Sequence, residues 1–154
     1  MTAEGLRIEA AGAAHAEVLA ALHRRCFRQE GWSPAEILAL IAAFRAFALI
    51  AVETAEPAGL ALARVAADEG EVLALGVLAE RRQRGIGRAL LSALAASCAE
   101  RGAARLFLEV AADNSAAQAL YVAEGFTIVG RRAGYYATLD GSALDGLILA
   151  KSLP

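Results

Sequence analysis

Apolar residues come in short stretches whose spacing switches between the two-residue period of a strand and the roughly 3.6-residue period of a helix. Residues 6–9 alternate weakly and read as a first strand. Across 14–28, Val18, Leu19, Leu22 and Cys26 recur at helical spacing, and the helix should end near Gln29-Glu30-Gly31. A helix start follows at once. Ser33 stands as N-cap, Pro34 at the first helical position and Glu36 three residues after the cap. Ile37, Leu38, Leu40, Ile41 and Phe44 give this helix its buried face. Three apolar runs, 47–53, 60–67 and 71–78, are separated by turn signals at Glu56-Pro57 with Gly59 and at Asp68-Glu69-Gly70. Connections this short exclude crossovers, so the runs should form an antiparallel meander.

The second half changes pattern. From Gly87 onward Leu90, Leu91, Leu94, Ala95 and Cys98 trace one helical face, which stops near Arg101-Gly102. Residues 105–110 are a compact strand, and strand, helix and strand make a β-α-β unit with parallel strands. Asp113-Asn114-Ser115 opens a further helix, with Ser115 and Gln118 as a capping box, Leu120 and Tyr121 inward and Gly125 ending it. Residues 126–132 read as a strand. Gly134-Tyr135-Tyr136 begins a loop running through Asp140-Gly141, and 144–153 is the last strand. The pattern predicts one α/β domain over 1–154, a mixed sheet with helices on both faces.

Composition removes several function classes. The formal charge of −2 gives no case for nucleic acid as a partner. No apolar run reaches the roughly 18 residues of a membrane span, and the N-terminus lacks the pattern of a signal peptide. Cys26 and Cys98 lie far apart and fall on inward helix faces, so they read as reduced core thiols in a cytoplasm. His15 and His23 are eight residues apart on one predicted helix, which is not ligand spacing, and no metal site is expected. The alanine richness reads as genome bias, and Asp68, Glu69 and Glu71 as a solvated turn.

The candidate chemistry centres on Arg82-Gln83-Arg84-Gly85-Ile86-Gly87-Arg88, between a strand and a helix. Two glycines one residue apart allow a tight turn with unshielded N–H groups. The following helix directs its free N–H groups and positive dipole end into that turn, and Arg81, Arg82, Arg84 and Arg88 surround it. This is a site for a phosphate or diphosphate. No Lys-Ser/Thr follows Gly87, which removes a Walker-type nucleotide loop. Leu90 at the third glycine position, in mid-chain, removes a dinucleotide fingerprint.

Arg82-x-x-Gly85-x-Gly87, placed after a strand and opening a helix, resembles the acetyl-CoA loop of the GNAT acetyltransferases. Leu108-Glu109-Val110, Asn114, Ala119-Leu120-Tyr121 and Gly125-Phe126 stand in the order and spacing of that family's second half. Gly130-x-Arg132-x-x-Tyr135-Tyr136, the late Asp145, Phe27 and Trp32-Ser33 are similar to its RimI branch, which acetylates the N-terminal alanine of a small-subunit ribosomal protein. The resemblance implies a GNAT fold, a mostly antiparallel sheet with a splayed parallel strand pair at the acetyl-CoA site. It also implies acetyl-CoA as cosubstrate and a protein N-terminus or other amine as acceptor. The chain departs from the branch at Ala79, Ala111, Gly134 and Gly146.

The same resemblance implies roles. Glu109 is the general base; it is the one carboxylate inside an otherwise apolar strand, where burial would raise its pKa. An edge position facing water, or a structural pair with an arginine, is the alternative. Tyr121 is the acid that protonates the leaving thiolate, or else a core tyrosine, and Asn114 caps a helix and contacts the cofactor. Residues Arg82, Gln83, Arg84, Gly85, Ile86, Gly87 and Arg88 hold the diphosphate through backbone amides, and Gly76, Val77 and Leu78 offer strand backbone to the pantetheine arm. Trp32, Tyr135 and Tyr136 are candidates for the acceptor groove, with packing as their alternative. Transfer is direct, in a ternary complex, without an acyl-enzyme. Lysine or a small-molecule amine as acceptor, and a non-catalytic CoA-binding module, are the rival readings.

Overall fold

The computed structural model describes residues 5–27, 31–43, 45–137 and 143–154, without the side chains of 136 and 137. The expected helix end at Gln29-Glu30, the Phe44 contact and the Asp140-Gly141 loop lie outside these residues. Seven strands form one sheet: β1 (Leu6–Ala11), β2 (Ala46–Glu53), β3 (Glu56–Ala66), β4 (Glu69–Val77), β5 (Arg105–Ala111), β6 (Thr127–Ala137) and β7 (Ala143–Ser152). The order is β1-β2-β3-β4-β5-β7-β6. Every pairing is antiparallel except β4 with β5, as the β-α-β reading requires.

Helices α1 (Ala16–Cys26) and α2 (Pro34–Ala42) pack on one face, and α3 (Ile86–Glu100) and α4 (Ser115–Ala123) on the other. The central strands are buried on both sides, which is why they read as continuous apolar runs. Along β2, Phe47, Leu49 and Ala51 join the α3 and α4 core while Ala48 and Ile50 join the α1 and α2 core. Leu90, Leu91, Leu94 and Cys98 anchor α3, and each fully buried leucine contributes about 1.5–3 kcal/mol. In α1, Leu19 and Leu22 are buried and Val18 is exposed.

Capping decides the helix boundaries. Ser33 Oγ accepts from the Glu36 N–H and Glu36 Oε1 accepts from the Ser33 N–H, completing the expected box. The α4 box is corrected: Asn114, not Ser115, is the N-cap, and its Oδ1 accepts from the Ala117 N–H at 3.1 Å. Gln118 instead donates back to the carbonyls of Ala111 and Ala112. His15 lies in a one-turn 3-10 helix before α1, so the two histidines occupy different elements. The turn between β3 and β4 is at Ala67-Asp68, and Glu69 and Gly70 already belong to β4.

Two irregularities shape the open half of the sheet. Leu62 pairs with Ala74 but Ala63 with Val72, so Leu73 is an extra, bulged residue in β4. A bulge bends its strand and breaks local pairing. Parallel pairing of β4 with β5 covers only Glu69 with Arg105, Gly70 with Leu106 and Glu71 with Phe107. Beyond Glu71 the strands part, while β5 stays paired with β7 to its end. The second irregularity is in β6. Arg132 pairs with Gly146 and Tyr136 with Leu144, so extra residues bulge between them. The expected loop at Gly134-Tyr135-Tyr136 is therefore strand, continuing to Ala137.

Candidate active site

The wedge between β4 and β5 opens onto the glycine loop. Val77 ends β4, and Leu78 through Arg81 make a 3-10 turn. The chain then passes Gln83 at φ 62° and Gly85 at φ 80° before entering α3. Gly85 is the N-cap, in the left-handed region where glycine carries no Cβ penalty. No side chain caps α3, and its first turn holds no acidic residue. Its leading N–H groups are thus left for an external acceptor. Ile86 is buried and anchors the helix start in the core. A Cβ built on Gly87 would sit 3.4 Å from Leu120 and 3.6 Å from Val77, so α3, α4 and β4 converge at this point.

The expected cationic ring is partly committed elsewhere. Arg81 reaches Glu53 at 2.7 Å and Glu56 at 2.5 Å, and Arg84 reaches Glu53 at 2.9 Å. The guanidinium of Arg88 pairs with Glu124 at 2.6 Å, tying α3 to the end of α4. Arg82 donates through Nε to the Val77 carbonyl at 3.3 Å. Of the backbone groups expected to meet a ligand, the Leu78 N–H is already held by the Ala58 carbonyl at 2.9 Å. Gly76 is required for another reason: a Cβ there would lie 2.9 Å from Cys26 Cβ and 3.1 Å from a Phe27 ring carbon. It lets the end of α1 cross β4 closely.

On the face carrying α1 and α2, a groove of about 800 Å³ runs across the uncovered strands. Its lining includes Trp32, Val72, Leu73, Leu108, Glu109, Arg132 and Tyr135. Val72 and Leu73 come from one side of the wedge and Leu108 and Glu109 from the other. Trp32 and Tyr135, expected together in an acceptor groove, and Glu109, expected as the base, therefore share one groove. The side chain of Tyr136 is outside the described set.

Glu109 is neither sealed in the core nor free. Its side chain is 20% exposed and forms an ion pair with Arg132, Nε to Oε1 at 3.1 Å, and Arg132 also lies over the Tyr135 ring, 5.0 Å from its centroid. Trp32 is held by His23, which stacks on it at 4.1 Å and accepts its backbone N–H at Nδ1. Burial, only partly opposed by Glu36, lowers the His23 pKa and keeps it a neutral acceptor. Tyr135 is presented by the β6 bulge. Gly134 has φ 64°, and its N–H and Arg131 both bond Asp145, whose pKa they hold down. Glycine adopts that φ without a Cβ penalty, which lets the bulge form at 134.

Tyr121 lies on the other face, buried, with its ring edge-on to Phe126 at 5.8 Å. Burial pushes its pKa up to about 12. It neighbours Leu120 at the junction of α3, α4 and β4. Burial likewise raises the Cys26 and Cys98 thiols, Cys98 to about 11, so neither is poised as a thiolate. Sequence reasoning missed Glu53 as a loop partner. The signal that found Glu109, a carboxylate in an apolar strand, was present there too. Among the described residues no group of three or more His, Cys, Asp and Glu side chains is placed to hold a metal ion, and no helix is long and apolar enough to cross a membrane.

A strand pair that parts beyond Glu71 and opens onto an uncapped helix behind a glycine turn is the arrangement that the resemblance to the GNAT acetyltransferases implies. The model of the acetyltransferase (GNAT) family matches residues 16–126, and the chain belongs to that family. It is 41% identical over 93 residues to the [ribosomal protein bS18]-alanine N-acetyltransferase of Escherichia coli K12, a stretch covering 60% of this chain and 62% of that protein. The chain thus spans about three-fifths of the length of the curated relatives it matches. The crystal structure of the E. coli ribosomal-protein-S18-alanine N-acetyltransferase superposes with a TM-score of 0.88 at 29% identity, over 96% of this chain and 94% of that one. Arabidopsis thaliana NAA60, solved in complex with acetyl-CoA, shares the fold with a TM-score of 0.82 at 20% identity, over 96% and 98% of the two chains.

Proposed function

We propose that this chain is an acetyl-CoA-dependent N-acetyltransferase that modifies the α-amine of a protein N-terminus. The first acceptor to test is the N-terminal alanine of a small-subunit ribosomal protein. One observation carries the reading: the groove holding Trp32, Tyr135 and Glu109 meets the β4/β5 wedge at Glu109. An amine lying in that groove arrives beside a carboxylate, at the mouth of a slot suited to an extended chain ending in a diphosphate. The similarity to the E. coli bS18-alanine enzyme supports the acceptor class.

Acetyl-CoA supplies the acetyl thioester. The amides of residues 82–88 and the start of α3 would bind the diphosphate, and the β4 backbone at Gly76 and Val77 would border the arm, the Val77 carbonyl exchanging its Arg82 partner for an amide of the arm. Asn114 caps α4 and, as the family resemblance implies, contacts the cofactor. Glu109 takes the proton from the acceptor ammonium, freeing the lone pair. Arg132, its resting partner, releases it to the incoming amine and stays stacked on Tyr135. Tyr121, still a phenol at neutral pH, gives a proton to the departing sulfur from the opposite face. One domain spanning 1–154 does all of this, in the cytoplasm where ribosomal proteins are made.

The test offers the purified protein acetyl-CoA with an alanine-starting ribosomal peptide, a lysine peptide blocked at its N-terminus, and a polyamine. Mass spectrometry should find acetyl on the α-amine of the first and little on the others. Acetylation of the lysine or polyamine alone would refute the N-terminal reading, and CoA binding without turnover would refute an enzyme. Cys26→Ala with Cys98→Ala should keep turnover, since transfer is direct.

A further inference from the structure

The β2–β3 hairpin closes on Thr54-Ala55, at φ 53° and 67°. Two consecutive positive φ values mark a two-residue turn of the kind usually made by Asn-Gly. Here a β-branched residue and an alanine hold it. The turn sets Glu53 and Glu56 directly opposite each other. Both reach Arg81, at the end of the 3-10 turn before the glycine loop. Glu53 also reaches Arg84, immediately before Gly85. The Glu53 side chain is only 4% exposed, whereas Arg84 is 51% exposed. The hydrogen bond from Arg81, with the charge of Arg84, holds the Glu53 carboxyl below its usual range.

One buried carboxylate thus grips both ends of the Arg82-Gln83 segment. Arg81 gives Nη1 to Glu53 and Nη2 to Glu56, and its side chain is mostly buried. Arg84 gives Nη1 to Glu53 while about half of its side chain stays exposed. We propose that Glu53 is a positioning residue for the diphosphate site: it fixes the loop's shape and aims Arg84 at the anion. This rests on the reading of the loop as the acetyl-CoA diphosphate site. The glutamate's own charge disfavours an anion nearby, so a purely electrostatic effect has the opposite sign to the positioning effect.

Calorimetric titration of free CoA into wild type, Glu53→Gln, Arg84→Met and the double variant separates these. Wild type binds. Glu53→Gln raises Kd about tenfold, the order expected when a positioned group is lost, and the change falls on the KM for acetyl-CoA ahead of kcat. Arg84→Met weakens binding alike, and the double variant is no weaker than the weaker single, because both act by one route. Unchanged or tighter binding by Glu53→Gln overturns the proposal, as do independent, multiplying effects in the double variant. Should Glu53→Gln fail to fold, Arg84→Met decides alone, and wild-type affinity there is fatal. If wild type itself fails to bind CoA, the reading of the loop falls and takes this inference with it.

Discussion

Glu109→Gln removes one charge and keeps the side chain's shape. Its folded-state partner is Arg132, 56% exposed, against 20% exposure for Glu109 itself. An ion pair this open to water contributes about 0–1 kcal/mol, so the variant should melt within about 2–4 °C of wild type. Turnover should respond on another scale, because a positioned general base contributes about 10²–10⁴-fold, or about 3–5 kcal/mol of barrier. The deficit should also depend on pH. An α-amine has a pKa of about 7.7–8.0, so only about a tenth of it is free at pH 7 and most of it at pH 9. The variant should therefore recover by several-fold across that interval, as solvent takes over the deprotonation. CoA release measured with a thiol reagent on an alanine-starting peptide, at pH 7, 8 and 9, reads both effects, with CoA titration as a binding control. A loss under about threefold at pH 7, with binding intact, would make Glu109 a structural mate of Arg132 and sink the catalytic assignment.

Tyr121→Phe should lower kcat by about tenfold or more with little change in melting temperature, since the ring keeps its Phe126 contact. With its pKa at about 12, wild-type kcat should show no alkaline limb from this residue below pH 10. Thr54→Asn with Ala55→Gly replaces two residues strained at positive φ. Each relief is worth about 1–2 kcal/mol, less about 0.5–1 kcal/mol of glycine entropy. A rise of about 2–14 °C in melting temperature follows, and no rise would show the turn to be unstrained. His23 is neutral in the fold because burial lowers its pKa, so its contribution is complete above the unfolded value near 6.5 and is lost as pH falls through the folded value. The chain has one tryptophan, so emission of Trp32 titrated from pH 7.5 to 5 should report its unstacking, with a flat trace counting against the coupling.

Local signals carried the elements well. The Ser33 box, the glycine stop after α3 and the two-faced burial of β2 each follow from neighbours in the chain. The tail of β6 did not, because Gly134 before Tyr135 reads as a turn when it is a bulge held by Asp145 across the sheet. Helix α4 offered two adjacent capping residues, and geometry selected Asn114. The parting of β4 from β5 was expected only through family resemblance, since Leu73 carries no mark of a bulge. Glu109, Trp32 and Tyr135 were legible as chemistry-bearing residues. The partners that set their state, Arg132 and His23, were not, because those contacts exist only after the sheet assembles. Glu53 with Arg81 and Arg84 is the same case, bridging 28 and 31 positions of sequence.

The short parallel seam has a thermodynamic consequence. Four strands, β1 to β4, and three strands, β5 to β7, are joined edge to edge at only three residue positions. Backbone bonds from Ala104 and Arg105 to the Asp68 carbonyl extend the seam, and side chains of α3 and α4 pack beneath it. Such a molecule resembles two half-sheets sharing a hinge more than one uniform slab, and its cooperative units should divide there. A ligand in the gap would supply the missing rungs of the ladder. Binding only the assembled state, it would add stability that grows with the logarithm of its free concentration over its Kd. On the proposed function that ligand is acetyl-CoA, and its concentration would then set the stability of the chain as well as its turnover.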